Sequence, residues 1–295
     1  MQINKHGSFY LRNGWPTKII DVIIQNKYVF SPANEREAVD ALGVGRVMVK
    51  AMRYWAYATG LTDEDKDQQG VVHSLTELGE CVAKYDPFCQ DKGTLWLMHR
   101  NLASDFENAT MWAWAFNLNS QRTFSKDEFV DAFFSFYQTN GGTNKKNAVE
   151  KEFDCFKNIY VSDKSFDLSR IIDEDTIPFF APLGLIKYLG KGRFEMPRIR
   201  AKEIPLSIAL YCILKDNEEH LRTQHQIDIN DLLDGQGQIG RYMSLNYPEL
   251  LDILQRLENE GALTLVNNFG NRYIEIPVID SHEVLESYYR EELER

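Results

Sequence analysis

Residues 42–55 read Leu42-Gly43-Val44-Gly45-Arg46-Val47-Met48-Val49-Lys50-Ala51-Met52-Arg53-Tyr54-Trp55. Gly43 permits the left-handed backbone that a tight turn needs. From about Gly45 to Ala58 the pattern predicts a helix, with Val44, Val47, Met48, Ala51 and Trp55 as its inner face. Arg46, Lys50 and Arg53 are spaced by four and three, so they share the opposite face. An apolar stripe that seats the helix, with cations pointed outward, is what a DNA recognition helix needs.

The flanks complete the pattern. A helix is expected from Pro16 or Thr17 to Tyr28, with Ile19, Ile20, Ile23 and Ile24 at helical spacing. A second helix is expected after Ser31, with Ser31 as its N-cap, Pro32 at its first position and Glu35 as acidic support. Downstream, residues 60–62, an acidic loop over 63–70 and residues 71–76 read as two short strands around a polar tip, a wing. Thr76-Glu77-Leu78-Gly79 then opens another helix. Residues 17–79 are therefore expected to form a winged helix-turn-helix, within a first domain spanning 1–90.

Two weaker copies follow. In a middle domain, 91–200, the Trp- and Leu-rich stretch up to Asn117 reads as core rather than a base-stacking platform. A helix capped by Ser125 carries Phe129, Ala132, Phe133 and Phe136, and Gly141-Gly142 breaks it. The next helix, about 143–160, shows Lys145, Lys146 and Lys151 outside and Val149, Phe153, Phe156 and Ile159 inside. Short strands with a turn at Gly190-Lys191-Gly192 make this a degenerate winged helix. A third unit, 201–280, has a helix over 204–214, a short helix over 227–233, a longer one over 247–260, and a hairpin about residues 267–271. Its would-be recognition helix carries Glu249, Asp252, Glu258 and Glu260 against Arg256, which suits a protein partner better than a phosphate backbone. Residues 281–295 read as an acidic partner-facing helix. The expected fold class is mainly α with small β wings, α+β, in tandem winged helix-turn-helix units.

Charge points the same way. The net charge is −11, which argues against a nucleic-acid binder that uses its whole surface. Residues 1–60 carry eight Lys/Arg against four Asp/Glu, whereas residues 201–295 carry eight against eighteen. No run approaches the roughly 18 apolar residues of a membrane span, and the N-terminus lacks a signal peptide's apolar stretch. A cytoplasmic protein without membrane partners is expected. Cys81, Cys89, Cys155 and Cys212 form no CxxC pair and are expected as buried thiols.

No constellation for catalysis emerges. The six histidines include no HExxH, and His220 and His225 lie in a polar stretch without zinc spacing. Gly235-Gln236-Gly237-Gln238-Ile239-Gly240 matches GxGxxG but lacks the flanking βαβ unit, so it reads as a flexible turn. The Asp173-Glu174-Asp175 run reads as a solvated loop. No catalytic residue, metal ligand or cofactor is expected.

Several segments resemble one bacterial family. Residues 9–18, Phe9-Tyr10-Leu11-Arg12-Asn13-Gly14-Trp15-Pro16-Thr17-Lys18, resemble its opening F-x-x-R-x-G-W-x-x-K. Residues 42–55 resemble its LGVGKNMVxxIRYW core. Residues 75–79 and 86–99, Asp86-Pro87-Phe88-Cys89-Gln90-Asp91-Lys92-Gly93-Thr94-Leu95-Trp96-Leu97-Met98-His99, resemble its LTxLG and DPYLEDxGTLWLLH segments. The family is domain of unknown function 4007. The resemblance is dense over residues 9–117 and thinner beyond. Arg46-Val47 stands where the family has Lys-Asn, which keeps the charge but loses an asparagine able to read adenine.

Members lie in phage-defence islands, beside phosphosulfate-reductase-like proteins and DNA phosphorothioation or phage-exclusion systems. The resemblance therefore implies a non-catalytic, DNA-binding accessory protein of a bacterial antiviral defence or DNA-modification system. Double-stranded DNA would meet Arg46, Lys50, Arg53, Lys145 and Lys146. Other defence proteins would meet the acidic C-terminal region, and a homodimer is compatible with this reading. The alternatives are a transcriptional regulator of the defence operon and a scaffold whose winged helices dock proteins.

Overall fold

The computed structural model describes residues 1–68, 70–161, 177–268 and 270–293. The Asp173-Glu174-Asp175 run lies outside the described residues. The fold is α+β, helices with small antiparallel sheets of two or three strands.

The first unit runs α1 (Trp15–Gln25), α2 (Glu35–Leu42) and α3 (Arg46–Ala58), then a hairpin of β1 (Thr62–Asp67) and β2 (Gly70–Leu75). α1 carries Pro16 in its first turn and buries Ile19, Ile20 and Ile23. It stops at Gln25, short of Tyr28, because Asn26 turns to extended geometry. Ser31 does not cap α2. Residues Pro32–Asn34 form a separate 3-10 turn first, and the Ser31 side chain is buried without a cap bond. Gly43 closes α2 at φ 67°, the left-handed geometry read from the sequence. The wing also differs from expectation. Residues 63–67 are strand, not loop, paired from Thr62↔Leu75 to Asp67↔Gly70. Every side chain of β1 after Thr62 is exposed, so the ladder holds an acidic run without burying it.

α4 (Glu77–Tyr85) follows at once. Thr76 caps it, accepting from the Gly79 amide (3.0 Å) and donating its hydroxyl to the Gly60 carbonyl (2.6 Å). A Cβ at Gly79 would sit 2.0 Å from the Leu61 carbonyl oxygen, so the position needs glycine. α5 (Lys92–Ser104) and α6 (Thr110–Asn117) bury Trp96, Met98, Met111 and Trp112 completely, as expected of core.

The remaining units share a connectivity. The second has β3 (Thr123–Ser125), α7 (Lys126–Thr139), α8 (Lys146–Tyr160), β4 (Lys187–Gly190) and β5 (Arg193–Glu195). The third has α9 (Leu206–Asp216), the short α10 (Glu218–Leu221), β6 (Gln226–Asp228), α11 (Ile229–Asp234), α12 (Ile239–Tyr242), α13 (Tyr247–Asn259), β7 (Thr264–Asn268) and β8 (Asn271–Glu275). Their sheets have the orders β3-β5-β4 and β6-β8-β7. In each, a short strand before the helices pairs with the second strand of the hairpin. Ser125 caps α7 with Glu128 in a reciprocal box, as its position implied. The helix expected over 227–233 instead begins as strand, because Ile227 pairs opposite Ile274. Of the expected turn over 235–240, residues 235–238 form a turn, and Ile239 and Gly240 already belong to α12.

α14 (Ser281–Leu293) returns to α4 and α9 and buries Leu285, Tyr288 and Tyr289. The Tyr288 hydroxyl donates to the Asp91 carboxylate (2.8 and 3.0 Å), and the Tyr289 hydroxyl lies 2.7 Å from that of Thr94. The acidic tail expected to face a partner is thus fastened to the body along one face, leaving Glu283, Glu286 and Glu291 exposed. One contiguous core joins all these elements, and the four cysteines are buried and free. Among the described residues no helix is long and apolar enough to cross a membrane.

His99 lies at the centre of this core. Its Nε2 faces the Tyr242 carbonyl at 2.9 Å and must donate, so neutral Nδ1 accepts from the Tyr160 hydroxyl at 2.8 Å. Burial pushes its pKa down to about 4. The unfolded histidine titrates near ~6.5. Below that pH the unfolded chain takes up a proton that the folded chain refuses. The stability from neutral His99 is full above pH ~6.5 and falls as pH drops toward 4. The loss should be on the order of 3 kcal/mol over that interval. Urea unfolding at stepped pH checks this; His99→Gln, whatever its stability at pH 7, should lose less over the same interval.

Candidate nucleic-acid interface

α3 is held in place by Trp55. That side chain is fully buried, donates Nε1–H to the Phe9 carbonyl (2.8 Å) and stacks on His6 at 5.6 Å between centroids. Val49, Ala51 and Met52 are buried beside it. The buried arc is centred between Met52 and Trp55. Val47, expected inside, falls on its edge next to Gly7 and is 56% exposed. Arg46, Lys50, Arg53 and Tyr57 lie opposite, so the three cations share a face as their spacing required.

Two of the three already have anionic partners. Arg46 Nε lies 3.1 Å from the Glu35 carboxylate of α2, with the arginine side chain 74% exposed. Arg53 grips Glu64 of β1 with two nitrogens, Nε to Oε2 at 2.8 Å and Nη2 to Oε1. Burial opposes ionisation of Glu64, but hydrogen bonds from Arg53 and its charge outweigh that and hold the carboxyl below its usual range. Lys50 lines a cleft of about 210 Å³ with Phe30, Pro32, Glu35 and Arg53.

The hairpin next to α3 is acidic. Asp63, Glu64, Asp65 and Asp67 are exposed on β1 with Lys66 among them. The Tyr28 hydroxyl donates to Asp67 at 2.7 Å. Beneath the strand, His73 is buried edge-on to Phe30, and among the described residues neither ring nitrogen has a hydrogen-bond partner. Burial, only partly offset by Glu64, pushes its pKa to about 4.

Lys145 and Lys146 fall elsewhere, at the start of α8 in the second unit. Lys145 is exposed as the N-cap residue, and Lys146 pairs with Asp131 of α7. In the third unit, two acids of α13 serve the fold itself. Glu249 accepts from the Ala201 amide and Glu258 from the Leu265 amide, each at 2.7 Å. Asp252 and Glu260 remain exposed.

Helical spacing makes the cations of α3 legible in the sequence, but not their counterions. From local pattern Glu35 is a helix-start acid and Glu64 one of several acids in a polar segment. The missing signal was the strand character of β1, which turns Glu64 back toward α3.

The family described as Protein of unknown function (DUF4007) matches residues 3–289. No curated protein matches the chain. Two solved structures, magnesium ion-bound SspB and SspB, are similar to it with TM-scores of 0.82 and 0.80. Each is 22% identical and aligns over 99% of this chain and 88% of its own. Among the described residues no group of three or more His, Cys, Asp or Glu is placed to hold a metal ion.

The Arg53–Glu64 pair is about 30% exposed on both sides. Half-exposed pairs contribute little, because water already solvates both ions. Glu64→Gln should therefore cost no more than about 1 kcal/mol by urea unfolding at pH 7. A loss several times larger would mean that the pair is a structural clamp that cannot be traded for a phosphate.

Proposed function

The chain belongs to the family Protein of unknown function (DUF4007), and from that premise we propose that it is a duplex-DNA-binding accessory protein of a bacterial defence or DNA-modification system. The observation that carries this reading is the shared outward face of Arg46, Lys50 and the half-buried Arg53 on α3, a helix fixed to the body by Trp55. The preceding helices and the following hairpin have the order that a winged helix-turn-helix requires. We read all three helix-and-hairpin units as winged helices, with the first as the DNA reader.

The counterions set how contact is made. Exposed ion pairs are worth about 0–1 kcal/mol each. A phosphate can displace Glu35 from Arg46 and Glu64 from Arg53 at small cost and leave the carboxylates to water. Contact is then an exchange of anions, steeply dependent on salt. The acidic β1 would have to lie away from the backbone, so α3 rather than the wing makes the approach. Magnesium, bound in one SspB structure, would screen that strand in the complex.

A specific observation favours a second reading, a protein-docking scaffold. The acidic hairpin, with the exposed Tyr57 ring of α3 near Asp63 and Glu64, makes a surface fit for a basic partner.

Fluorescence anisotropy with a duplex of about 20 base pairs separates the two, run across a salt series with and without magnesium. Under the DNA reading, Arg46→Ala, Lys50→Ala and Arg53→Ala combined should weaken binding at least about tenfold at ~100 mM salt. They should also flatten the salt slope by close to three. Equal binding by parent and triple variant would remove α3 as the reader. No binding by the parent would leave the docking reading.

A further inference from the structure

Three arginines from separate stretches meet where the second and third units join. Arg122 precedes β3, Arg198 follows β5, and Arg241 lies in α12. Arg122 donates from Nη1 to the Ser244 hydroxyl (2.7 Å) and more weakly to the Met196 carbonyl (3.5 Å). The Ser244 hydroxyl in turn donates to the Pro197 carbonyl (2.7 Å). Arg198 donates from its own Nη1 to the Leu245 carbonyl. The two guanidinium groups are thus tied to the same two backbone stretches, 196–198 and 244–245. Ser244 takes a left-handed conformation there, φ 54°, strained for a residue with a Cβ. Arg241, three positions earlier, donates to the Asp234 carbonyl (3.0 Å) and pairs with its carboxylate (3.2 Å).

The local charge balance at this junction is one-sided. Arg46, Arg53, Arg100, Arg193 and Arg222 each hold a carboxylate. Arg122 and Arg198 donate only to neutral oxygens, and among the described residues neither has a carboxylate partner. Asp234 is engaged by Arg241. Burial, then the charges of Arg198 and Arg241, hold the Arg122 guanidinium below its usual range. Burial and Arg241 do the same to Arg198, with Asp234 opposing. Nε and Nη2 of Arg122 and of Arg198 enter no hydrogen bond among the described residues. Arg198 is exposed and the other two are half-buried, so the cluster is open to solvent.

A chain with a net charge of −11 has carboxylates to spare, yet it holds these like charges together. Guanidinium groups with paired free donors match the oxygens of a tetrahedral oxyanion. We infer that Arg122, Arg198 and Arg241 form a binding site for a phosphate group. The source is either a free phosphate or nucleotide, or a phosphodiester of a nucleic-acid strand. In the second case the site rests on the DNA reading above and adds a contact remote in sequence from α3.

The experiment uses the full chain, parent and Arg122→Gln/Arg198→Gln. Single Arg198→Gln, at an exposed side chain, is the fallback should the double variant fail to fold. Thermal unfolding is followed with inorganic phosphate against chloride at equal ionic strength, and duplex binding by anisotropy across salt. Without phosphate, the variants should melt at or above the parent, because repulsion has been removed. Phosphate should raise the melting temperature of the parent and not of the variants. If the ligand is a strand, the double variant should bind duplex about tenfold more weakly or worse, with a salt slope shallower by about two. A phosphate response lost in the variants with duplex binding unchanged supports the site with a small ligand. A parent that responds to phosphate but binds no duplex keeps the site and ends the DNA reading. Parent and variants that respond alike to both ligands overturn the site.

Discussion

The first and second units depend on one buried hydrogen bond. His6 Nε2 meets the Glu152 carboxylate of α8 at 3.0 Å, with both side chains essentially inaccessible to water. The Ser8 amide donates to His6 Nδ1 (3.2 Å), so the ring hydrogen on Nε2 points at the carboxylate. The Asn4 amide donates to the same carboxylate oxygen. The N-terminal arm is thus pinned across α8, and from there it builds the seat of α3. His6 stacks on Trp55, and the Phe9 carbonyl takes the indole hydrogen. Trp112 packs edge-on against both rings. The orientation of the helix proposed to read DNA is therefore set by residues about forty positions before it and nearly a hundred after it.

The family-like motifs have the same physical character. In the DPFCQDKGTLWLMH stretch, the Asp86 carboxylate accepts from the Gln90 and Asp91 amides. Asp91 caps α5 and accepts from the Tyr288 hydroxyl. Gly93 leaves room for that tyrosine, since a Cβ there would lie 2.5 Å from its oxygen. His99 closes the stretch inside the core. These residues hold the last helix to the first third of the chain. A motif of this kind marks packing, and it leaves the choice of ligand to the surface.

What the sequence revealed follows from range. Helices with a clear period and hairpins with a glycine turn were legible, because their signals are local. β3 and β6 were not. Each is three residues long, and its partner is distant: Phe124 pairs with Phe194, and Ile227 with Ile274. Locally both look like the run-in to a capped helix, which they also are. The site shows the same division. The face shared by Arg46, Lys50 and Arg53 is fixed by helical spacing, whereas Glu64 reaches Arg53 only through the ladder that turns β1 back. The meeting of Arg122, Arg198 and Arg241 depends on two backbone stretches docking, and no periodicity encodes that.

This difference bears on how an acidic chain could hold a polyanion. Its net charge repels phosphate at long range, but salt shortens that repulsion to about 8–10 Å. Within that distance the local partners decide. On α3 a phosphate must displace two carboxylates already in place, so contact there gains little per arginine and can be reversed easily. At the junction of the second and third units nothing has to be displaced from Arg122 or Arg198, and an arriving anion relieves repulsion that the fold now bears. An anion should therefore settle more firmly at the junction than on α3. A surface of the first kind can scan, and one of the second kind can anchor, which would let a protein of this charge grip one ligand without binding every polyanion it meets.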